Sequence, residues 1–113
     1  MPKKIYDLKE RLLVFAKRVL EICKMLPRNP EANRIRGQLG GAGTSIGANY
    51  EEADGSNSKK DFVNKTVIAR KEARETRYWL RVISGLYIPE ENIAADIKES
   101  QEIINILSSM IKK

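Results

Sequence analysis

The sequence predicts an all-α fold, an up-down-up-down antiparallel four-helix bundle in a single domain of residues 1–113. Four segments place apolar residues at the three- and four-residue spacing of an amphipathic helix. The connections between these segments are short and hold Pro, Gly, Asn and Ser. No segment alternates apolar and polar residues as a strand does, and short connections between helices favour antiparallel neighbours.

Helix 1 is predicted over residues 7–25. Asp7 can cap its N-terminus, and Glu10 completes a capping box three residues later. Pro27 and Pro30 interrupt the chain after it. Its apolar arc is wide, which predicts contact with more than one neighbour, and consists of Leu8, Leu12, Leu13, Phe15, Ala16, Val19, Leu20, Ile22, Cys23 and Leu26.

Helix 2 is predicted over residues 30–53, because Asn29 can cap it and Pro30 is favoured as its first residue. Gly55 follows in a turn and is predicted to end the helix as a C′ residue. The apolar seam of helix 2 consists of Ile35, Leu39, Ala42, Ile46, Asn49 and Ala53.

Helix 3 is predicted over residues 58–85, with Ser58 as its N-cap and Gly85 at its end. Its seam is Phe62, Thr66, Ala69, Ala73, Thr76, Leu80 and Ile83. Helix 4 is predicted over residues 89–111, where Pro89 and two glutamates suit the positive end of a helix dipole. Its seam and second apolar edge are Ile93, Ile97, Ile104, Leu107 and Ile111, with Ile103, Ile106 and Met110.

The glycines of helix 2 predict close contact with another helix. Five of the seven glycines lie in residues 37–50, and each costs about 1 kcal/mol relative to alanine, or about 5 kcal/mol together. Close backbone approach can offset this penalty, so Gly40, Gly43 and Gly47 are predicted to pack against a neighbouring helix. A phosphate-binding loop is the alternative, but such a loop needs a lysine before Thr44, where Gly43 stands.

Polar residues of helices 2 and 3 are predicted to form a network that fixes the register of the helices. Asn49 lies on the apolar seam and needs a hydrogen-bonding partner there. The predicted network consists of Ser45, Asn49, Glu52, Lys65 and Glu75.

The residue types exclude most catalytic and metal-binding chemistry. The chain has no histidine, so histidine-ligated zinc or di-iron sites and nucleophile–histidine pairs cannot be built. Acids cluster near the turn after helix 2, but they lack the spacing of a calcium loop and suit capping and pairing with lysines. We therefore expect no enzymatic activity, no metal and no cofactor.

Cysteine content and hydropathy predict a cytoplasmic protein. Cys23 is the only cysteine, cannot form an intramolecular disulfide, and is predicted to be a small core residue. The longest uncharged run, residues 37–50, is too short and too polar to span a membrane. No secretory leader is recognisable, and no membrane partner is expected.

The charge of the chain predicts a polyanionic partner. The formal net charge is +6 and the isoelectric point is about 9.6. Arg70, Arg74, Arg77 and Arg81 recur at helical spacing, and we call them the arginine stripe. Because neighbouring arginines repel one another, they need counter-charges. Glutamates of helix 3, acids of helix 4 or another subunit are one source, and nucleic-acid phosphates are the other.

Basic residues of helix 1 are predicted to assist the stripe in binding nucleic acid: Lys17, Arg18 and Lys24. Tyr78 and Trp79 follow a basic segment and could stack on bases. Helical spacing also favours packing of one of these two rings in the core, so both alternatives remain open.

Residues 44–53, with the sequence TSIGANYEEA, resemble the bacterial proteins encoded in intervening sequences of 23S ribosomal RNA genes, the S23-type family. Further matching pieces are Phe15-Ala16, residues 23–27, Gln38-Leu39, the pattern Ser58-x-x-Asp61-Phe62-x-x-Lys65, and residues 71–80. The resemblance covers nearly the whole chain. The chain departs from the family at Gly40-Gly41, where relatives often carry a larger or basic residue.

This resemblance implies a four-helix bundle that assembles as a homopentameric ring. It also implies similarity to the accessory protein of diversity-generating retroelements, which associates with nucleic acid and a reverse transcriptase. With the arginine stripe, these points predict a non-enzymatic oligomeric protein that binds nucleic acid, RNA rather than DNA. The alternative is a homo-oligomeric scaffold that recruits a polymerase or another protein.

Overall fold

The computed structural model describes residues 7–112 and contains four helices: α1 (Leu8–Lys24), α2 (Pro30–Asp54), α3 (Lys59–Ile83) and α4 (Glu90–Lys112). The predicted all-α fold is confirmed, and the helix ends lie within two residues of their predicted positions. No helix among these residues is long and apolar enough to cross a membrane.

Side-chain caps fix the starts of the first three helices. Asp7 accepts a hydrogen bond from the backbone N–H of Glu10 at 3.1 Å, and Asn29 accepts one from that of Ala32 at 2.8 Å. Ser58 caps α3 in the same way at 3.0 Å. Each cap satisfies a backbone donor that has no partner within its helix and stabilises the helix by about 1 kcal/mol.

The glycines that follow α2 and α3 behave differently. Gly85 has a φ of +79°, in the left-handed region that favours glycine, and follows the end of α3 as predicted. Its N–H donates to the carbonyl of Ile88 at 2.7 Å. Gly55 is itself the C-cap of α2 and has a φ of −92°. The predicted C′ role of Gly55 is therefore wrong, because α2 ends without a left-handed residue.

Packing between the helices shows how the bundle is arranged. Val19 of α1 lies beside Gly43 of α2, and Leu12 lies beside Gly47. The contact with the higher residue number in α2 has the lower residue number in α1, so these two helices run antiparallel. Short loops likewise join α2 to α3 and α3 to α4, and each of these pairs packs closely.

The core follows the predicted seams of all four helices. Two threonines of α3 are fully buried, and the hydroxyls of Thr66 and Thr76 donate to carbonyls one turn earlier at 2.7 and 2.8 Å. These bonds satisfy hydroxyls that would otherwise lack partners. The largest fully buried apolar side chains are Leu12, Val19, Ile22, Leu39, Ile46, Leu80, Ile83, Ile93, Ile103 and Leu107.

Candidate nucleic-acid interface

Three of the four arginines of the stripe lie along the groove between α3 and α4. Arg70 donates from Nη1 to Ser108 Oγ at 3.3 Å, which ties it to the groove wall. Arg81 is exposed, one turn beyond the groove. The groove has a volume of about 420 Å³, and its lining, which with Arg70 we call the arginine groove, consists of Arg74, Arg77, Gln101, Ile104, Asn105 and Ser108.

The arginines of the stripe have no carboxylate partner in residues 7–112, where all ion pairs involve other cations. Pairing with Glu72, Glu75 or the acids of α4 is therefore wrong within one chain. Arg77 Nε is buried and has no hydrogen-bond partner in this part of the chain. A buried charged donor without an acceptor is unfavourable, so the described part of the chain leaves the Arg77 guanidinium incompletely satisfied.

Three of the five acids of α4 instead pair with arginines of α1. Arg11 donates to Glu99 at 2.7 Å and to Glu102 at 2.9 Å. Arg18 forms two hydrogen bonds with Asp96, at 3.0 and 3.1 Å. The hydrogen bond that Arg11 donates to Glu99 raises the pKa of the Arg11 guanidinium above its ordinary value. These ion pairs hold α1 against α4 and leave no carboxylate of this set for the arginine stripe.

The basic residues predicted to assist on α1 do not lie with the arginine stripe. Arg18 is held by Asp96 and also donates to the carbonyl of Asn92 at 3.1 Å, so a phosphate would have to displace these bonds. Lys24 is exposed beside Glu21 at 3.5 Å, and Lys17 is exposed. Because α1 contributes no residue to the lining of the groove, these residues and the stripe do not form one site.

Tyr78 and Trp79 divide between the surface and the core. Tyr78 is 59% exposed, whereas Trp79 is half-buried against the core. Their ring centroids are 5.2 Å apart in an edge-to-face arrangement. Tyr78 is exposed and lies one helical turn from Arg74 and Arg81, so it is the ring of this pair that a base near the stripe could reach.

Gly40, Gly43 and Gly47 all face α1, with unequal clearance. A Cβ atom at Gly43 would lie 2.6 Å from Val19 Cγ1, which is closer than side chains pack. At Gly40 and Gly47 the nearest atoms would be 3.7 and 3.4 Å away. The close approach of α1 and α2 therefore depends chiefly on Gly43. The glycines lie within a helix, which leaves the phosphate-loop alternative without support.

The predicted polar network does not form. Asn49 is half-buried and donates to the carbonyl of Ser45 in its own helix at 2.8 Å, and Ser45 bonds in the same way one turn earlier at 2.7 Å. Glu75 is exposed. Only Lys65 and Glu52 pair, at 2.9 Å, and this hydrogen bond raises the pKa of the Lys65 ammonium. The network prediction fails because the backbone of α2 itself satisfies Asn49.

Cys23 is buried against α2, which confirms its prediction as a core residue. Burial raises the pKa of its thiol, and Sγ lies 3.7 Å from the carbonyl oxygen of Arg36. A neutral, buried thiol is a poor nucleophile. Within residues 7–112, no group of three Cys, Asp or Glu side chains is arranged to hold a metal ion.

The α4 wall of the arginine groove is the part of the site that sequence reasoning missed. Its neutral polar residues recur at helical spacing and so share one flank of α4: Gln101, Asn105 and Ser108. The acids that pair with α1 recur on the opposite flank: Asp96, Glu99 and Glu102. A helical wheel of α4 on which acidic and neutral polar residues are marked separately shows these two flanks from the sequence alone.

The fold and the groove define a class of protein: an all-α four-helix bundle in which a groove between α3 and α4 is lined by arginines that form no ion pair within residues 7–112. The chain belongs to the family of 23S rRNA-intervening sequence proteins, whose family model matches residues 6–109. The family resemblance of residues 44–53 is thereby confirmed.

A solved structure supports the same assignment. The chain is similar to a protein with unknown function from the S23 ribosomal protein family of Bacteroides thetaiotaomicron VPI-5482, with 40% sequence identity and a TM-score of 0.84. The similarity covers 93% of this chain and 98% of that one. No curated protein matches the chain.

Proposed function

We propose that the protein binds RNA without catalysing a reaction, and that the arginine groove contacts the phosphates. The observation that carries this proposal is the set of arginines at the groove that have no carboxylate partner within residues 7–112. Gln101, Asn105 and Ser108 add neutral hydrogen-bonding groups that do not compete with an anion for the guanidinium groups. The family description names a ribosomal RNA context, which favours RNA over DNA.

Phosphate contacts of this kind make binding strongly dependent on salt. Three or four contacts to a single strand give a slope of log affinity against log salt of about −2 to −3. A fourfold increase in salt then weakens binding about 20- to 50-fold. Tyr78 adds a stacking surface beside the stripe, because a base of any type can stack on an exposed aromatic ring.

Fluorescence anisotropy with labelled 20-nucleotide RNA and DNA of the same sequence tests this proposal. We expect the RNA to bind at about 50 mM salt and to dissociate as the salt concentration rises. Equal affinity for the RNA and the DNA oligonucleotide would contradict the preference for RNA. No binding of either strand at about 50 mM salt would contradict the proposal as a whole.

A second proposed function is a homo-oligomeric scaffold that recruits a polymerase or another protein. Leu13 and Leu20 of α1 are 47% and 46% exposed, so the wide apolar arc of α1 is only partly buried within one chain. A Cβ atom added at Gly37 or Gly41 of α2 would have no packing neighbour within 4 Å, so the helix penalty of these glycines is not offset within the chain. Contact with a second copy would account for both features, in a ring such as a homopentamer.

Light scattering of wild type and Leu13→Lys/Leu20→Lys tests the scaffold. We expect wild type to form an oligomer and the double variant to dissociate into folded monomers. A monomeric wild-type protein at about 100 µM would contradict homo-oligomer formation. A matched variant, Val67→Lys/Ile68→Lys, changes two exposed apolar residues of α3 and controls for loss of surface hydrophobicity.

A further inference from the structure

A second groove separates α1 from α4 on the other flank of α4. It has a volume of about 630 Å³, and on α1 its lining extends from Asp7 to Arg18, which is about 16 Å along the helix axis. The closely packed helix pairs of the bundle do not include α1 with α4. We call this feature the acidic trough, and its lining consists of Asp7, Glu10, Arg11, Val14, Phe15, Arg18, Asp96 and Glu99.

The charge of the acidic trough is opposite to that of the protein. Its lining holds four carboxylates and two guanidinium groups, a formal charge of −2, whereas the chain carries +6. Both arginines are already engaged by acids of α4. Glu10 forms no ion pair within residues 7–112. A ligand in the trough therefore meets surplus negative charge, which disfavours RNA and favours a cationic partner.

An apolar window lies between the two ion-paired arginines of α1. Arg11 and Arg18 are seven residues apart, about two helical turns or 10 Å. Val14 and Phe15 lie between them in the chain. Phe15 is only 3% exposed, whereas Val14 is 58% exposed although it lines the trough. Single exposed apolar residues on a protein surface need no explanation. Here the exposed side chain lies in a concave, charged setting, where a partner can bury it.

We infer that the acidic trough docks a cationic amphipathic helix of a protein partner. Apolar side chains on one face of such a helix would cover the exposed Val14, while its Lys or Arg side chains would meet Asp7 and Glu10. The length of the trough corresponds to about three turns of helix, and an amphipathic helix in a groove is a recurrent mode of peptide recognition. This inference is independent of RNA binding by the arginine groove, because the two sites lie on opposite flanks of α4.

The test measures the affinity of a fluorescent 15-residue peptide with leucines along one helical face and lysines elsewhere. Wild-type protein is expected to bind this peptide at least 10-fold more tightly than Val14→Lys does. Val67→Lys places the same charge on an exposed valine of α3 and is expected to stay within twofold of wild type. A scrambled peptide, and one with glutamate in place of lysine, are each expected to bind at least 10-fold more weakly.

Equal affinity of wild type and Val14→Lys for the peptide would overturn the inference, as would equal binding of the scrambled or glutamate peptide. Light scattering of both variants tests a different occupant. If Val14→Lys, but not Val67→Lys, dissociates an oligomer, a second copy of the chain fills the trough and the inference is overturned. RNA affinity measured on Val14→Lys separates the two sites, because we expect it to equal that of wild type.

Discussion

The two flanks of α4 use the same residue type for different purposes. Toward α1, every arginine that reaches α4 meets a carboxylate at 2.7 to 3.1 Å, and these pairs join the two helices. Toward α3, the arginines meet Gln101, Asn105 and Ser108, and none of them forms an ion pair within residues 7–112. Paired arginines contribute to the fold, whereas unpaired arginines in a groove are available to an anionic ligand.

Charge reversal in the arginine groove should have the largest effect. Arg74→Glu/Arg77→Glu removes two charge-assisted contacts, each worth about 1.5–3 kcal/mol, so RNA affinity should fall about 100-fold or more. The variant loses no ion pair of the described chain, but a carboxylate at the partly buried position 77 should lower the thermal midpoint by a few degrees. Anisotropy and thermal unfolding measure the two effects. Lys60→Glu/Lys71→Glu makes the same charge change at exposed sites of α3, and equal losses in both variants would contradict a localised site.

A substitution in the contact between α1 and α2 tests whether RNA affinity depends on the stability of the fold. Gly43→Ala places a Cβ atom 2.6 Å from Val19 and should lower the free energy of unfolding by about 1–3 kcal/mol. Under conditions in which the variant is folded, its RNA affinity should remain within twofold of the wild-type value, because Gly43 contacts α1 and lies on neither flank of α4. Gly41→Ala is the matched control. Its site is open, so helix propensity should raise stability by up to about 1 kcal/mol. Urea unfolding gives both values, and destabilisation by Gly41→Ala would show that this face is covered.

Glutamates placed on the flank of α4 that faces α3 should pair with the arginines there, as the acids on the other flank pair with the arginines of α1. Gln101→Glu/Asn105→Glu supplies carboxylates to the arginine groove, and RNA affinity should fall about 10-fold. Stability should stay constant or rise by up to about 1 kcal/mol, the range of partly exposed ion pairs. Ala95→Glu/Ser109→Glu adds the same charge at exposed sites of α4 outside the groove. Unchanged RNA affinity in the first variant would mean that the ligand does not use this groove.

Removal of a paired arginine should leave RNA binding nearly unchanged. Arg18→Ala leaves the mostly buried Asp96 without its partner and should lower stability by about 1 kcal/mol. RNA affinity should stay within twofold, because Arg18 lies outside the arginine groove. Urea unfolding and anisotropy measure both quantities, with Lys17→Ala as the neighbouring exposed control. A 10-fold loss of RNA affinity would place α1 in the binding site.

The helices and their buried seams were predictable because burial imposes a period of 3.6 residues on the sequence. Leu39, Ala42 and Ile46 are buried where that period places them. Caps were predictable for a similar reason, since Asp7, Asn29 and Ser58 act through backbone atoms only three residues away. The family was predicted from the resemblance of residues 44–53 and the further matching pieces, and the family model that matches residues 6–109 confirms it.

Features that depend on the arrangement of helices were harder to predict. Gly41 and Gly43 have the same propensity, but only Gly43 faces α1, and the choice depends on how the helices pack. Asn49 was expected to bond across the bundle, yet a carbonyl of its own helix is nearer. The separation of Arg18 from the arginine stripe likewise depends on which flank of α4 meets α1, and composition alone does not specify that flank.

The salt dependence of RNA binding tests the central claim most directly. The slope of log affinity against log salt should be shallower in Arg74→Gln/Arg77→Gln than in wild type by about 1.4, the value for two lost phosphate contacts to a single strand. Lys60→Gln/Lys71→Gln, which removes the same charge from exposed sites of α3, should keep the wild-type slope. An unchanged slope in the arginine variant would contradict phosphate binding by the arginine groove.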